Sequence, residues 1–302
     1  MVVFIIIGFI LAGVGCHFIM QKREVNALQH SVDYILAQGT LENTPITILP
    51  VEKSMIIGQA QAKLKFSIII PAYNEEGYIK KCLDSVIAAS SPYKDQVEVI
   101  VVLNRCTDRT EEIALSYNCV IVKEDSRNLS KIRNAGAKVA RGNILITIDA
   151  DSWMAENMLV EIEKQLMSGK YIGGGVALKT ERLSLGIMIS AIILFSAILI
   201  KHGLICGGLF WCFKRDFEAI SGFDEKLRIA EDIDFAIRLR HWGEKCGKKV
   251  MNISKPRLMT SCRKFDRLGD WYMIKKPEII LDYLNFKKQK YADELYYDFK
   301  RE

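Results

Sequence analysis

Phe66-Ser67-Ile68-Ile69-Ile70-Pro71-Ala72-Tyr73-Asn74-Glu75-Glu76 is the stretch on which the fold turns. A short apolar run halted by a proline and followed at once by polar residues reads as a buried strand that ends at a crevice. The segments on its C-terminal side repeat the pattern. Glu75 to Ala88 has helical spacing at Ile79, Cys82, Leu83 and Val86, and Val97 to Leu103 is a second buried strand. A helix follows through Glu111, Ile113 and Leu115, then a strand over Cys119 to Val122, a helix over Leu129 to Ala140 and a strand over Ile144 to Ile148. Strand–helix alternation of this kind predicts an α/β fold, a mostly parallel sheet flanked by helices. In such sheets ligands bind beyond the carboxyl ends of the strands. Tyr73-Asn74-Glu75, Asn104-Arg105 and Asp149-Ala150-Asp151 all stand at such ends and should line one crevice. The absence of G-x-G-x-x-G after the first strand argues against a dinucleotide-binding enzyme.

Composition narrows the setting. Half of the 302 residues are apolar and the mean hydropathy is slightly positive, which points to membrane contact. The formal charge of +6 is modest, and aromatic residues are not interleaved with basic runs. That balance suits an anionic membrane face or phosphorylated substrates rather than nucleic acid. The eight cysteines form no C-x-x-C pair, so neither a zinc site nor a disulfide framework is indicated, and a reducing compartment fits best.

Before the first strand, Val2 to Met20 is an almost unbroken apolar run, long enough to cross a bilayer as a helix. Lys22 and Arg23 follow it and no basic residue precedes it, which predicts an uncleaved single-pass anchor at the cell membrane with the rest of the chain in the cytoplasm. The resulting division is an anchor over residues 1–21, a stem over 22–64, a catalytic domain over 65–250 and a basic, peripheral helical segment over 251–302. A second apolar run, Leu183 to Ile200, lies between Asp151 and Asp232. One crossing there would put those two carboxylates on opposite sides of a membrane. Gly186, Ser190, Ala197 and Lys201 fall on one helical stripe, so the expectation is a helix over 183–201 lying in the interface or packed on the domain.

Chemistry concentrates in carboxylates. Asp149 and Asp151 stand two apart after an apolar strand, and continued strand geometry would aim both the same way. Two hard oxygen ligands at a cleft suit Mg²⁺ or Mn²⁺ bridged to substrate phosphates. Glu231-Asp232 opens an amphipathic helix that ends near Gly243, after Gly207-Gly208 and Gly222-Phe223-Asp224-Glu225. A tight loop there would bring Asp232 towards the cleft.

Taken in order, Ser67 to Glu76, Thr107-Asp108-Arg109-Thr110, Arg133-Asn134-Ala135-Gly136, Asp149-Ala150-Asp151 and Gly222 to Glu225 followed by Glu231-Asp232 resemble the family 2 glycosyltransferases of the GT-A fold. The resemblance spans roughly Lys65 to Gly243. It implies that Pro71, Ala72, Tyr73 and Glu75 contact the nucleoside of a nucleotide-sugar donor. Arg133 would approach the ribose or diphosphate, Asp149 the ribose or metal, Asp151 would ligate the metal, and Asp232 would be the catalytic base. The implied reaction is a metal-dependent, inverting transfer of one sugar to an acceptor hydroxyl. Membrane association adds the expectation of a lipid-linked or cell-envelope acceptor.

The sequence departs from the family at Leu103-Asn104-Arg105-Cys106, where acidic residues are common and one reads the base. Asn104 is uncharged but can donate and accept, so it stays a nucleotide-binding candidate and leaves a guanine-type donor open. The Q-x-x-R-W motif of processive synthases is missing, which favours single-sugar transfer. Arg263-Lys264-Phe265-Asp266-Arg267 reads equally as a phosphate-binding flap, a membrane-surface segment or a solvated loop. Two other readings stand beside the transferase: a nucleotidyltransferase on a similar sheet, and a non-catalytic scaffold.

Overall fold

The computed structural model describes residues 64–203 and 206–285. The expected anchor and stem lie outside the described residues, as does the last part of the C-terminal segment. Eight strands form one sheet: β1 (Phe66–Ala72), β2 (Val97–Leu103), β3 (Val120–Lys123), β4 (Ile144–Thr147), β5 (Ser152–Trp153), β6 (Tyr171–Thr180), β7 (Phe210–Phe213) and β8 (Lys249–Thr260). Their order across the sheet is β3-β2-β1-β4-β7-β6-β8-β5. The first four are mutually parallel. β7 then runs antiparallel to both β4 and β6, and β8 returns parallel to β6. The sheet is therefore mixed, and it continues through Thr260, past the expected domain end at residue 250.

The first half of the sheet is doubly covered because its strands are apolar on both faces. In β1, Phe66, Ile68, Ile70 and Ala72 join one core cluster while Ile69 joins the other. β2 alternates in the same way, with Val101 and Leu103 on one side and Ile100 and Val102 on the other. Helix α1 (Ile79–Ser90) covers the first face and α3 (Leu129–Val139) the second. Between them in sequence lies α2 (Thr110–Ser116). The helix expected from Glu75 starts later, because Tyr73 to Tyr78 form a turn in which Asn74 takes a positive φ of 48°. Gly136 lets α3 lie close on the sheet: a Cβ there would come within 2.5 Å of Ile69.

The second half carries α4 (Met158–Met167), α5 (Leu185–His202), α6 (Lys214–Ala219), α7 (Glu231–Lys245), α8 (Arg263–Leu268), α9 (Tyr272–Lys275) and α10 (Pro277–Asn285). α5 is bounded by its own caps. The Ser184 hydroxyl accepts the Ile187 N–H at 3.2 Å, and Gly203, at φ 67°, closes the far end. Among the described residues it is a helix long and apolar enough to cross a membrane. Its flanking strands β6 and β7 pair side by side in the same sheet. The stripe of Gly186, Ser190 and Lys201 is where the C-terminal segment docks. A Cβ on Gly186 would strike Asp270, Ser190 Oγ lies 3.5 Å from the Asp270 carbonyl, and Lys201 donates to the Leu284 carbonyl at 2.7 Å.

Candidate active site

The loops after β1 and β2 are sewn together before they offer anything to a ligand. Asn74 Oδ1 accepts the Thr107 N–H at 2.8 Å, Thr110 Oγ1 accepts the Glu75 N–H at 2.8 Å, and Asp108 Oδ2 accepts the Glu76 N–H at 2.9 Å. The Thr107 to Thr110 motif thus has a structural office: it fixes the turn that presents Tyr73 and Glu75. A second pair of motifs docks in the same manner. The Asn134 amide donates to the Phe223 carbonyl at 2.9 Å and accepts the Phe223 N–H at 3.0 Å. Gly222 supplies the positive φ of 64° that brings this loop against α3.

These loops surround a cleft lined by Pro71, Ala72, Tyr73, Glu75, Asn104 and the Asp149-Ala150-Asp151 run, with Leu129 and Ile132 from α3 and Arg263 and Lys264 from α8. Asn104 lines the cleft, but its donors are already spent. The side-chain NH₂ donates to the carbonyls of Glu124 and Ser126, at 2.5 and 2.8 Å, and Oδ1 accepts from Arg105. It shapes the pocket wall and leaves no side-chain N–H for a base edge, contrary to the expectation that it would donate and accept there.

Asp149 and Asp151 do not share a strand. β4 ends at Thr147, and the Ser152 N–H returns to the Asp149 carbonyl at 3.0 Å, so the run is a turn. The two carboxylates accordingly take different arginines. Arg133 Nη2 donates to Asp149 at 2.9 Å and its Nη1 to Glu231 at 2.8 Å. The Arg133 and Glu231 side chains are 6% and 3% exposed, whereas Asp149 is 46% exposed and faces the cleft. Asp151 accepts from Arg263 Nε and from the Ser261 hydroxyl, each at 2.9 Å. Arg263 also grips Glu75 with both terminal nitrogens.

Asp232 follows Glu231 at the start of α7, just after Ala230 in a left-handed conformation at φ 61°. Its carboxyl accepts the Ile233 N–H at 2.8 Å. Burial, reinforced by the adjacent Glu231 charge, raises its pKa to about 7, although Arg133 pulls the other way. Asp232 does not line the cleft itself, but the Arg133–Glu231 pair ties its helix to Asp149. Glu231 Oε2 and Arg133 Nε are buried without a hydrogen-bond partner, so this pair carries polar capacity beyond what holds it together. Glu231, Ser261 and Arg263 are the residues that the sequence reading did not assign to the site. Glu231 was visible only as the neighbour of Asp232, and Arg263 as the first residue of a basic run read as a phosphate-binding flap, a membrane-surface segment or a solvated loop.

Comparison with known proteins bears on the family and the fold. Residues 67–183 match the model of glycosyl transferase family 2, and the segment is a domain of that family. Glycosyltransferase GlyA of Streptococcus pneumoniae is 31% identical over 108 residues, which are 34% of this chain and 15% of that protein. The poly(ribitol-phosphate) beta-N-acetylglucosaminyltransferase TarS of Staphylococcus aureus is 32% identical over 102 residues, 32% of this chain and 18% of that one. The chain thus matches less than a fifth of the length of either relative. Among solved structures, TarS 1–349 in complex with UDP-GlcNAc superposes with a TM-score of 0.54 at 18% identity, covering 77% of this chain and 70% of that one. The mannosyltransferase PcManGT of Pyrobaculum calidifontis, in complex with GDP-Man and Mn²⁺, gives 0.52 at 18% identity, with coverage of 75% and 68%. At such identities the structural likeness is one of fold.

Proposed function

We propose that this chain is an inverting glycosyltransferase that moves one sugar from a nucleoside-diphosphate donor to an acceptor hydroxyl. The observation that carries the reading is the Arg133 bridge, which joins Asp149 at the cleft to Glu231, the neighbour of Asp232. In this reading Pro71, Ala72, Tyr73 and Glu75 hold the nucleoside, with Leu129 and Ile132 as the opposite wall. Asp149 faces the ribose, and Arg133 keeps that carboxylate in place from beneath.

Asp232 is the general base. Its pKa of about 7 matches proton removal near neutral pH, where a base must be free to accept and still basic enough to pull. As Asp232 takes the acceptor proton, the acceptor oxygen forms its bond to the anomeric carbon. The bond from that carbon to the diphosphate oxygen breaks on the opposite face, and its electron pair leaves with the nucleoside diphosphate. Attack opposite the leaving group inverts the centre.

Among the described residues, no three His, Cys, Asp or Glu side chains converge as a complete metal cage. Mg²⁺ and Mn²⁺ do not require one, since each is ordinarily held by one or two carboxylates together with substrate phosphates. Asp151 at the cleft, with Asp149 beside it, fits that requirement. The ion would neutralise charge on the departing diphosphate.

The relatives named for poly(ribitol phosphate) sugars support a hydroxyl of a cell-envelope glycan, free or lipid-linked, as acceptor. α5 supports a membrane setting. Leu185, Met188, Ile192 and Leu199 form an exposed apolar stripe, while Ile187 and Ile198 are buried on the domain. A helix apolar on both sides requires an apolar medium on the open one. The pairing of β6 with β7 in one sheet supports a helix lying along a bilayer over one passing through it. The test is to incubate the purified chain with a panel of UDP- and GDP-sugars and Mn²⁺. Release of nucleoside diphosphate, lost in Asp232→Asn, is the expected result. Release of sugar 1-phosphate, the product left behind when the nucleotidyl group is what moves, would make the chain a nucleotidyltransferase, and no release from any donor would leave the scaffold reading in its place.

A further inference from the structure

Asp151 already has a cation, and it belongs to the protein. Arg263 Nε donates to Asp151 Oδ2 at 2.9 Å, while Nη2 reaches Glu75 Oε1 at 2.7 Å and Nη1 reaches Oε2. The anchor for this fork is firm. Glu75 is buried, its N–H is held by Thr110, and the Tyr78 ring lies 5.0 Å from the guanidinium. Ser261 places a second donor on the same Asp151 oxygen. A divalent ion seeking Asp151 must first break a charge-assisted hydrogen bond, one of the stronger kinds in proteins. A guanidinium does not relieve the conflict by losing its proton, so it has to move. A diphosphate in the cleft would give it reason to. It offers Arg263 and the adjoining Lys264 a competing anion, and it brings the further oxygen ligands that a hard cation needs.

We infer that Arg263 is an internal countercation that holds Asp151 until a nucleoside diphosphate arrives, and thereby couples metal capture to donor binding. The inference rests on the reading of Asp151 as a metal ligand. Its consequence is reciprocal: the nucleotide tightens the metal by the same factor as the metal tightens the nucleotide. Without Arg263 the coupling shrinks to what the diphosphate's own oxygens supply to the ion.

Mn²⁺ binding to the full chain, followed by electron paramagnetic resonance with and without UDP or GDP and corrected for Mn²⁺ held by nucleotide in solution, tests this directly. For the unaltered protein, nucleotide should tighten Mn²⁺ about tenfold or more. Arg263→Gln should bind Mn²⁺ alone about tenfold more tightly than the unaltered protein, and addition of nucleotide should then tighten Mn²⁺ by a smaller factor than it does in the unaltered protein. Arg263→Lys, which keeps the charge but not the fork, should fall between and serves if the glutamine variant does not fold. Equal Mn²⁺ affinity of the unaltered and Arg263→Gln proteins in the absence of nucleotide would overturn the inference. Asp151→Asn separates the two layers: Mn²⁺ binding that survives it in the presence of nucleotide removes Asp151 as ligand, and the inference falls with that reading.

Discussion

Two arginines neutralise the carboxylates of this cleft, and they do so in opposite ways. Arg133 stands on α3, within the core of the domain, and spans from Asp149 to Glu231 with almost no exposure. Arg263 stands on the short helix α8 at the cleft rim and reaches inward to Asp151 and Glu75 from a side chain 20% exposed. The first links two halves of one domain and has nowhere to go. The second stands at the rim, where solvent reaches it. In the reading proposed above, the fixed charge sets the electrostatics around Asp232 and the exchangeable one governs access of a cation to Asp151.

If Arg133 is the frame and Asp232 the reacting group, their variants must fail differently. Asp232→Asn should lower kcat by about 10²–10⁴-fold while leaving donor binding intact, as expected for loss of a general base. Single-turnover kinetics alongside nucleotide titration measures both, and lost donor affinity with a normal kcat would break the assignment.

Arg133→Met should act first on folding. Removing one partner of a buried ion pair costs about 3–5 kcal/mol, because Glu231 is left charged and alone. Arg263→Gln also strands a buried carboxylate, Glu75, but its own side chain is nearer solvent, so it should destabilise less than Arg133→Met. Chemical denaturation of the two variants decides whether the contrast between the arginines is real. In any Arg133 variant that folds, the acid limb of kcat/KM should also move to higher pH, since Arg133 is what restrains the rise of the Asp232 pKa.

The contrast also explains which features could be read in advance. β1, β2, β4 and α3 are local patterns of apolar residues, and the motifs at their ends announce a cleft wherever the sheet is parallel. β6, β7 and β8 were not legible in the same way. β6 begins Tyr171-Ile172-Gly173-Gly174-Gly175, where a Cβ on Gly174 would meet the Met251 backbone at 1.7 Å. Those glycines exist for a neighbour that is remote in sequence, and nothing local declares it. Arg263 is a similar case. Its partners are 188 and 112 residues away, and only the assembled fold distinguishes it from the other basic residues around it. The D-A-D run misled in one respect, since a turn after β4 parts two carboxylates that an extended strand would have aligned.

The raised pKa of Asp232 leaves a mark on stability too. Between pH 4 and pH 7 the folded protein holds a proton on Asp232 that the unfolded chain, with an ordinary aspartate, has given up. Stability attributable to this group therefore falls as pH rises through that window, and above it the fold bears the cost of a buried charge. Asp232→Asn should be the more stable protein at pH 8, by up to ~4 kcal/mol, with the difference closing towards pH 4. Thermal unfolding of both proteins across that range is the measurement. A gap that widened towards acid would show that Asp232 is not held protonated.

The smallest effect on the fold is expected on α5, where two faces of one helix have different work. Ile187 and Ile198 bury against the domain, but Ile192 and Leu199 are about half exposed, so a polar residue there removes little that folding depends on. Ile192→Gln with Leu199→Gln should change stability by no more than ~0.5 kcal/mol per site. If that face rests on lipid, the same pair should weaken the contact by ~1 kcal/mol per residue, or about tenfold for both. Trp271 offers the readout. It is 43% exposed and follows Asp270, which packs against Gly186 of α5, and tryptophan favours the interfacial depth of a bilayer. Vesicles of anionic lipid brominated on the upper acyl chain should quench tryptophan fluorescence of the full chain, and Trp271→Phe should remove most of that quenching. An anchor that held the domain away from the surface would give none. Quenching that the glutamine pair leaves untouched would mean that α5 faces something other than lipid.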